Sequence, residues 1–513
     1  MSRIASAAIA IAALSLLGGT QAHAQRGQDT LRYAINDMFP TIDPYVFSQD
    51  EAGMVTRVVY QTLFAYREGS KKYVPQIAKS WVMITPGVYE FDLRDNIVFH
   101  SGNKLTADDI VYTLNFFADP KINVRFKAHY DWIARVEKLG EYKIRIVSKT
   151  PSPFDMEELA YRNRILDSKV HKGVPNYEDY GRASASGTGA YKVVSLQRDK
   201  IVLERHEAFK DDYQRAAVKR YIGQHISDEQ SRIAQLLTGG VDALRNVTPD
   251  NATSISKVAN LTIADMPSGD VLYITLDAAG RSKNKLMTDQ RVRKALMMAI
   301  DRDELIKHII PGHGTAKKLS SVCFDWTADC GFSTEPPAFD PAAAKKLLAE
   351  AGYPNGVDLV LDVHEPVRAV AEAVAGELRK IGIRATVNPM PLSVYVKRRG
   401  EGELTAFLGS YPTSAQPDGG SIYNFFFGAE RDYYRDPVLH AAGRAGVQEF
   451  DQEKRTAFFR DVVDRANRMN YILPISSLPT AYAMSKDVKI MPDAFSYASV
   501  YLNDLVWSDY TGK

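Results

Sequence analysis

The feature that most constrains the fold is the alternation of strand-like and helix-like segments in the second half of the chain. Residues 359–363 have the apolar pattern of a buried strand, residues 367–381 have the apolar spacing of an amphipathic helix, and residues 384–387 are strand-like again. A strand, a helix and a second strand in this order predict a β-α-β unit. We therefore predict an α/β fold.

The remaining segments extend this pattern along the chain. Strands are predicted at 31–35, 89–93, 97–99, 143–147, 191–194, 201–205 and 271–276, and helices at 51–64, 106–117, 289–300, 302–310 and from Asp340 to the residue before Gly352. Thr106 is a good N-cap, and Asp109 adds favourable charge to the first helical turn. Because the first half has more β structure, we expect two α/β lobes with additional β-rich material in the first.

Length and charge narrow the class of protein. The 513 residues are enough for more than one domain, and 64 Lys and Arg residues against 62 Asp and Glu residues give a formal net charge of +2. A chain balanced in this way has no large basic field to bind a polyphosphate backbone. We therefore expect no nucleic-acid partner.

The N-terminus has the three parts of a secretory signal peptide. Arg3 supplies a positive charge, residues 4–17 form a short apolar run, and Ala22-His-Ala24 is a small-residue cleavage site. The run is too short for a membrane span, which needs about 20 apolar residues. We predict a signal peptide at 1–24 and export to the periplasm, without a lipid anchor because no cysteine lies near the cleavage site.

The sequence contains no recognisable catalytic or metal-binding motif. It lacks a G-x-S-x-G elbow, an H-E-x-x-H pair, a complete Walker A loop and a Rossmann glycine motif, and its ten histidines are scattered. We therefore expect neither an enzyme nor a bound metal or cofactor.

In an oxidising compartment the two cysteines, Cys323 and Cys330, are predicted to form a local disulfide, with two buried free thiols as the alternative.

Six blocks of sequence, in order along the chain, resemble the family 5 extracytoplasmic solute-binding proteins of ABC importers, a group that includes periplasmic oligopeptide-, dipeptide- and nickel-binding proteins. The blocks are FPTIDP at 39–44, YVPQIAKSW at 73–81, the segment 89–109 with its FHSG and TADD motifs, SGTGAY at 186–191, VRKALMMAIDR at 292–302 and AKKLLAEAGY at 344–353. Ala190 stands where the family usually has proline.

The resemblance implies a large, cluster C type periplasmic binding protein fold. Two lobes would surround a cleft that closes by hinge motion, with an extra subdomain inserted in lobe I at roughly 58–182. Lobe I would comprise 25–266, lobe II 267–477, and the chain would return to lobe I at 478–513. The partners would be the permease subunits of an ABC importer in the inner membrane, and the protein would be a monomer.

The resemblance also implies candidate ligand-binding residues in lobe II. Asp418 matches an aspartate that holds the ligand's amino group in peptide-binding relatives, and Arg368 falls where dipeptide binders place the arginine for the ligand's carboxylate. A plain turn aspartate and a surface arginine are the respective alternatives. Tyr411 and Tyr423 would supply stacking surface, or belong to the core.

Further candidates lie in lobe I. Arg125 and Arg164 are in the inserted subdomain, where nickel-chelate binders of the family use arginines against a chelator's carboxylates. Arg245 and Asn246 follow a strand-like segment near the lobe crossing. Each arginine alone is more often a solvated charge.

We therefore predict a receptor that delivers a short peptide or an amino-acid-derived compound to an ABC importer. A receptor for an anionic metal chelate or polycarboxylate is the alternative within the class. A secreted hydrolase of peptides or glycosides would need a nucleophile or a carboxylate pair with displaced pKa values. A chemosensory or chaperone-like protein would share the fold and differ in its partner.

Overall fold

The computed structural model describes residues 26–512 except 38, 47–49, 68–71, 183, 313–314, 325, 413–417, 429–430 and 494–499. The predicted signal peptide, 1–24, lies outside the described residues. The chain divides into two compact units. Unit 1 contains Met1–Met266 and Ala481–Lys513, and unit 2 contains Pro267–Thr480.

Unit 1 is built from β-sheets flanked by short helices. Its strands are β1 (Thr30–Ile35), β2 (Phe64–Arg67), β3 (Lys72–Pro75), β4 (Ala78–Thr85), β5 (Val88–Leu93), β6 (Ile133–Gly140), β7 (Lys143–Ser148), β8 (Tyr191–Leu196), β9 (Lys200–Arg205), β10 (Arg220–His225), β11 (Ala243–Arg245) and β12 (Leu261–Met266), and β18 (Thr480–Ser485), β19 (Val488–Ile490) and β20 (Leu505–Trp507) near the C-terminus. Its helices are α1 (Asp50–Val59), α2 (Ala107–Ala118), α3 (Asp155–Tyr161), α4 (Ser168–Lys172), α5 (Glu229–Leu237) and α6 (Pro249–Ile255).

The main sheet of unit 1 has the strand order β12-β18-β11-β1-β10-β9-β8. Strand β1 lies parallel to both β10 and β11, so the carboxyl ends of these three strands share one edge of the sheet. A second sheet, β4-β5-β7-β6, is antiparallel. In β5 buried residues alternate with partly exposed ones, as expected for a strand with one face on the core.

Two predicted elements of unit 1 are wrong in extent or kind. Residues 97–99 do not form a strand: only Val98 makes an isolated bridge, to Lys104, because Gly102, at φ 90°, turns the chain back at once. The helix predicted over 51–64 ends at Val59, whose carbonyl accepts a hydrogen bond from the Gly189 amide at 2.9 Å.

The glycines of the SGTGAY block explain this early helix end. A Cβ on Gly187 would lie 2.1 Å from the Val59 carbonyl oxygen, and one on Gly189 would lie 2.3 Å from the Val58 carbonyl oxygen. Only glycine allows the backbone to come this close to the end of α1. The block is therefore a packing motif.

Unit 2 alternates strands with helices as the sequence predicts. Its strands are β13 (Asp270–Leu276), β14 (Val357–His364), β15 (Ile383–Met390), β16 (Ala406–Pro412) and β17 (Ile472–Ser477). Its helices are α7 (Gln290–Met298), α8 (Arg302–His308), α9 (Pro341–Glu350), α10 (Arg368–Lys380), α11 (Leu392–Glu401), α12 (Gly419–Phe427), α13 (Pro437–Gly446) and α14 (Gln452–Arg468).

The sheet of unit 2 has the order β15-β14-β16-β13-β17. Strand β14 is parallel to β15 and β16, and the predicted β-α-β unit is confirmed by β14, α10 and β15. The apolar face of α10 packs into the core beside both strands, with Val370, Val374 and Leu378 buried. Within the described residues, no helix has the length and apolar character needed to span a membrane.

His100 gives unit 1 a testable pH dependence. Its Nε2 lies 3.0 Å from the Gly189 carbonyl oxygen, its Nδ1 accepts from the Gly187 amide at 3.3 Å, and burial lowers its pKa to about 3. The folded state therefore stays neutral at this site while the unfolded chain binds a proton below about pH 6.5, so stability falls as the pH drops. We expect the His100→Gln variant to lose roughly 2 to 3 kcal/mol less stability than the wild-type protein between pH 7 and pH 4.5 in urea denaturation. Equal losses would contradict this account.

Candidate functional site

The carboxyl edge of the unit 2 sheet carries a cluster of polar and aromatic side chains. His364 ends β14 and Tyr411 lies at the end of β16, so the parallel register places both at this edge. His364 Nε2 lies 3.2 Å from Ser410 Oγ. In α/β sheets, ligands bind outside the carboxyl ends of the strands.

Phe425, from α12, is at the centre of this cluster. Its ring centroid lies 3.8 Å from that of Tyr411, and its own side chain is half-buried. Two guanidinium groups approach the same ring, with Arg431 at 4.4 Å and Arg399 at 5.1 Å from the centroid. We refer to Tyr411, Phe425, Arg399 and Arg431 as the aromatic–arginine cluster.

Arg399 is the most unusual member of the cluster because it is buried. The residue is 7% exposed, and its Nη1 donates to the hydroxyl of Tyr273 at 3.3 Å. Among the described residues, Arg399 forms no ion pair with a carboxylate, and its Nε has no hydrogen-bond partner. A buried guanidinium with unused donor capacity attracts a carboxylate, which can accept two parallel hydrogen bonds.

The electrostatics of the neighbouring histidine agree with this excess of positive charge. Burial and, second, the Arg399 guanidinium lower the pKa of His364. The imidazole therefore stays neutral at neutral pH. A neutral imidazole can donate or accept a hydrogen bond without adding to the positive charge.

Unit 1 contains a second group of arginines. Burial and, second, the nearby Arg57 lower the pKa of Arg164 to about 10. The Arg57 guanidinium stacks 4.2 Å from the ring centroid of Tyr501, and Arg164 Nη1 donates to the Tyr60 carbonyl oxygen at 3.4 Å. No carboxylate among the described residues forms an ion pair with Arg164. An anion bound here would relieve the repulsion between the two guanidinium groups.

Arg245 and Asn246, also predicted to bind ligand, are at the carboxyl end of β11. Arg245 Nε donates to Glu51 Oε1 at 2.9 Å, and the two side chains are 12% and 2% exposed. Asn246 has a positive φ of 58°, and its Nδ2 lies 3.4 Å from Asn36 Oδ1. Arg245 therefore has a buried partner within the protein already.

The other predicted arginines are exposed. Arg368 starts α10, as expected, but its side chain is 51% exposed and its Nε donates to Glu372 at 2.8 Å, with Glu365 3.6 Å away. Arg125 is exposed and stacks 5.3 Å from the ring centroid of Phe126. Within unit 2, the structure does not bring Arg368 into the aromatic–arginine cluster.

The side chains of Asp418 and Tyr423 make hydrogen bonds within the protein that stabilise and position α12. Asp418 is the N-cap, 2% exposed, and its carboxylate accepts from the Ser421 amide and hydroxyl, each at 2.7 Å. Tyr423 is buried, and its hydroxyl lies 3.0 Å from His440 Nδ1. Of the predicted residues, Tyr411 alone is a member of the aromatic–arginine cluster.

Three arginines of these groups, Arg399, Arg431 and Arg57, were not predicted from the sequence. A signal for Arg399 was present: Tyr395 and Arg399 are four residues apart in α11 and both are buried, so they share its inner face. An arginine on the inner face of an amphipathic helix is rare unless it is paired. Arg57 and Arg431 give no such local signal.

Cys323 and Cys330 form a disulfide, with Cα atoms 5.8 Å apart. No group of three or more His, Cys, Asp or Glu side chains in the described part of the chain is arranged to hold a metal ion.

Comparison with known proteins matches this chain to bacterial binding proteins. The sequence profile of bacterial extracellular solute-binding proteins, family 5 Middle, matches residues 72–433. The chain is 26% identical to heme-binding protein A of Haemophilus influenzae over 444 residues, 80% of this chain and 77% of the relative. It is 25% identical to the dipeptide-binding protein of Pseudomonas aeruginosa over 476 residues, 85% of this chain and 87% of the relative.

Among solved structures, NikA from Brucella suis in complex with Fe(III)-EDTA matches with a TM-score of 0.80 and 20% identity, covering 93% of this chain and 100% of that one. This match extends over nearly the whole chain. The predicted two-lobed α/β fold is confirmed by it.

The Arg245–Glu51 pair can be tested as a structural element. Arg245→Met removes the ion pair between Arg245 and the buried Glu51 carboxylate, so we expect the free energy of unfolding to fall by about 3 kcal/mol in urea denaturation. The double variant Glu51→Gln/Arg245→Met should recover at least half of that loss. Arg125→Met, at an exposed position, should stay within about 0.5 kcal/mol of the wild-type protein. If Arg245→Met were as stable as Arg125→Met, the pair would not be structural.

Proposed function

The chain belongs to the family 5 bacterial extracellular solute-binding proteins, and on this basis we propose that it is the solute receptor of an ABC importer for a short peptide or an amino-acid-derived compound. Its relatives named above are binding proteins, including one for dipeptides. The receptor would present its solute to permease subunits in the inner membrane. The predicted signal peptide, 1–24, would direct it to the periplasm as a free protein.

The observation that carries the proposal is that Arg399 is buried and, among the described residues, forms no ion pair with a carboxylate. A peptide or amino-acid derivative has a carboxylate that the guanidinium can bind bidentately. Its apolar side chain can pack on the half-buried ring of Phe425 beside Tyr411. The solute would compensate a charge that the protein itself leaves without an anionic partner among the described residues.

Tyr411, Asp418 and Arg368 would contribute to solute binding in different ways. Tyr411 would contact the solute directly. Asp418 would act through the position of α12, because its carboxylate already caps that helix. Arg368 would bind a carboxylate only by exchanging Glu372 for it, so Arg368→Ala is a direct test of the dipeptide-type geometry.

Binding measurements on Arg399 variants test the proposal. The probes are a set of L-dipeptides and tripeptides together with glutathione, screened by thermal shift, and the strongest binder is then titrated by calorimetry. We expect Arg399→Met to weaken binding of that probe at least tenfold, which is about 1.4 kcal/mol. Arg399→Lys should be intermediate because it keeps the charge and loses the bidentate geometry.

Arg379→Met is the matched control. Arg379 is an exposed residue in the last turn of α10, at the other edge of the sheet, so its substitution should leave the dissociation constant unchanged. The proposal is wrong if no peptide probe binds the wild-type protein, or if Arg399→Met binds as tightly as Arg379→Met.

An anionic metal chelate or polycarboxylate is the second candidate solute. The repulsion between the adjacent Arg57 and Arg164 guanidinium groups favours it, because a bound polyanion would offset that repulsion. Under this alternative the metal would be part of the solute, held by its chelator.

Fe(III)-EDTA is the probe that separates the two solutes. If the chelate is the solute, Arg164→Met should weaken Fe(III)-EDTA binding at least tenfold in calorimetric titration and leave peptide binding unchanged. Arg182→Met, at an exposed position of unit 1, is the control. Equal Fe(III)-EDTA affinity for both variants would remove the support that Arg164 gives to this alternative.

A further inference from the structure

The loop that contains the disulfide, residues 319–334, lies on helix α14; residue 325 is outside its described part. Asn467 Nδ2 donates to the carbonyl oxygens of Ser320 at 3.0 Å and Thr334 at 2.8 Å. Asp464 accepts from the Ser333 amide at 2.7 Å and from the Thr334 hydroxyl at 2.9 Å. Both ends of the loop are therefore attached to α14.

The middle of the loop is held by a buried ion pair. Arg455 Nε donates to Asp329 Oδ2 at 2.7 Å, and the two side chains are 7% and 0% exposed. Asp329 has a positive φ of 57°. A residue other than glycine keeps this conformation only where its surroundings impose it.

The disulfide closes a small ring around this strained residue. Cys323 and Cys330 enclose it, and within the ring the Thr327 amide donates to the Phe324 carbonyl at 3.1 Å. The two cysteines are 2% and 5% exposed. Such burial suits a permanent cross-link better than a switch that an external thiol opens.

The disulfide ring contacts the first turn of α12. Ala328 pairs with Asp418 as an isolated parallel bridge, and the Gly419 amide donates to the Ala328 carbonyl at 2.9 Å. A Cβ on Gly419 would lie 2.7 Å from both the Asp329 carbonyl oxygen and Phe459 Cδ2. The first turn of α12 therefore rests directly on the ring, with no room for a side chain between them.

We propose that the Cys323–Cys330 disulfide is a positioning clamp for solute binding: it fixes the ring that seats α12, and α12 in turn holds Phe425 beside Arg399. The clamp acts through Ala328 and Gly419 and does not touch the solute. This inference rests on the proposed function, because Phe425 matters only if the aromatic–arginine cluster binds the solute.

Hydrogen exchange on the full, unliganded protein tests the clamp independently of any solute. In Cys323→Ser/Cys330→Ser, amides in 419–427 should exchange at least tenfold faster than in the wild-type protein, while those of α9 keep their rates. The clamp proposal is wrong if the amide exchange rates in 419–427 do not change, or if exchange becomes faster by the same factor throughout unit 2.

A second variant covers the case in which the cysteine variant does not fold. Gly419→Ala leaves the disulfide intact and pushes the first turn of α12 off the ring, so it should accelerate exchange in the same segment. Gly376→Ala, in α10, is the matched control because its Cβ meets open space. If amides in 419–427 exchanged at the same rate in Gly419→Ala as in Gly376→Ala, the contact between the ring and the first turn of α12 would not stabilise the helix.

The link to solute binding is measured separately with the peptide probe that binds the wild-type protein most strongly. Gly419→Ala should raise its dissociation constant at least fivefold, and Gly376→Ala should leave it unchanged. If amide exchange in α12 were faster in Gly419→Ala but its peptide dissociation constant were unchanged, the clamp would not contribute to solute binding. Failure of every probe on the wild-type protein would instead contradict the proposed function, whatever the exchange rates are.

Discussion

The parallel arrangement of β14, β15 and β16 is the constraint on which the candidate site in unit 2 depends. Parallel neighbours cannot be joined by tight turns, so each strand leaves the sheet at its carboxyl end and the chain returns through a helix. The chain therefore leaves β14, β15 and β16 at one edge, and α10, α11 and α12 are the next α-helices after these strands. Arg399 comes from α11 and Phe425 from α12, the helices that follow β15 and β16, and these two strands lie on either side of β14.

The buried arginines of unit 2 separate into two kinds. Arg455 is paired with Asp329, and Arg293 donates to the backbone carbonyls of Met287 and Met469, so each has a structural role within the protein. Arg399 is equally buried, yet among the described residues it has a tyrosine hydroxyl and no carboxylate. Burying a guanidinium without an anionic partner is costly, and a bound carboxylate would offset that cost.

Local sequence signals were enough for most of the fold and for little of the site. Asp289 and Asp340 cap the helices predicted after them, because an N-cap is a short-range interaction. The segment 97–99 has the composition of a strand, but the turn at Gly102 and the start of α2 limit its pairing to the isolated bridge between Val98 and Lys104. Arg368 starts a helix as predicted, but its glutamate partners were not foreseen. The spacing of Tyr395 and Arg399 was a signal for an arginine on the inner face of α11, but the environment of Arg399 could not be predicted because it is formed by residues from β13, α11 and α12.

Native mass spectrometry of the protein, purified without denaturation, tests directly whether this chain binds a solute. We expect one small organic molecule with a carboxylate to be bound per chain and released intact on denaturation, and we expect Arg399→Met to retain little of it. The intact mass of the chain also reports whether cleavage follows Ala24. A protein that carries no such molecule, or that hydrolyses peptides added to it, would contradict the claim that this chain is a solute receptor.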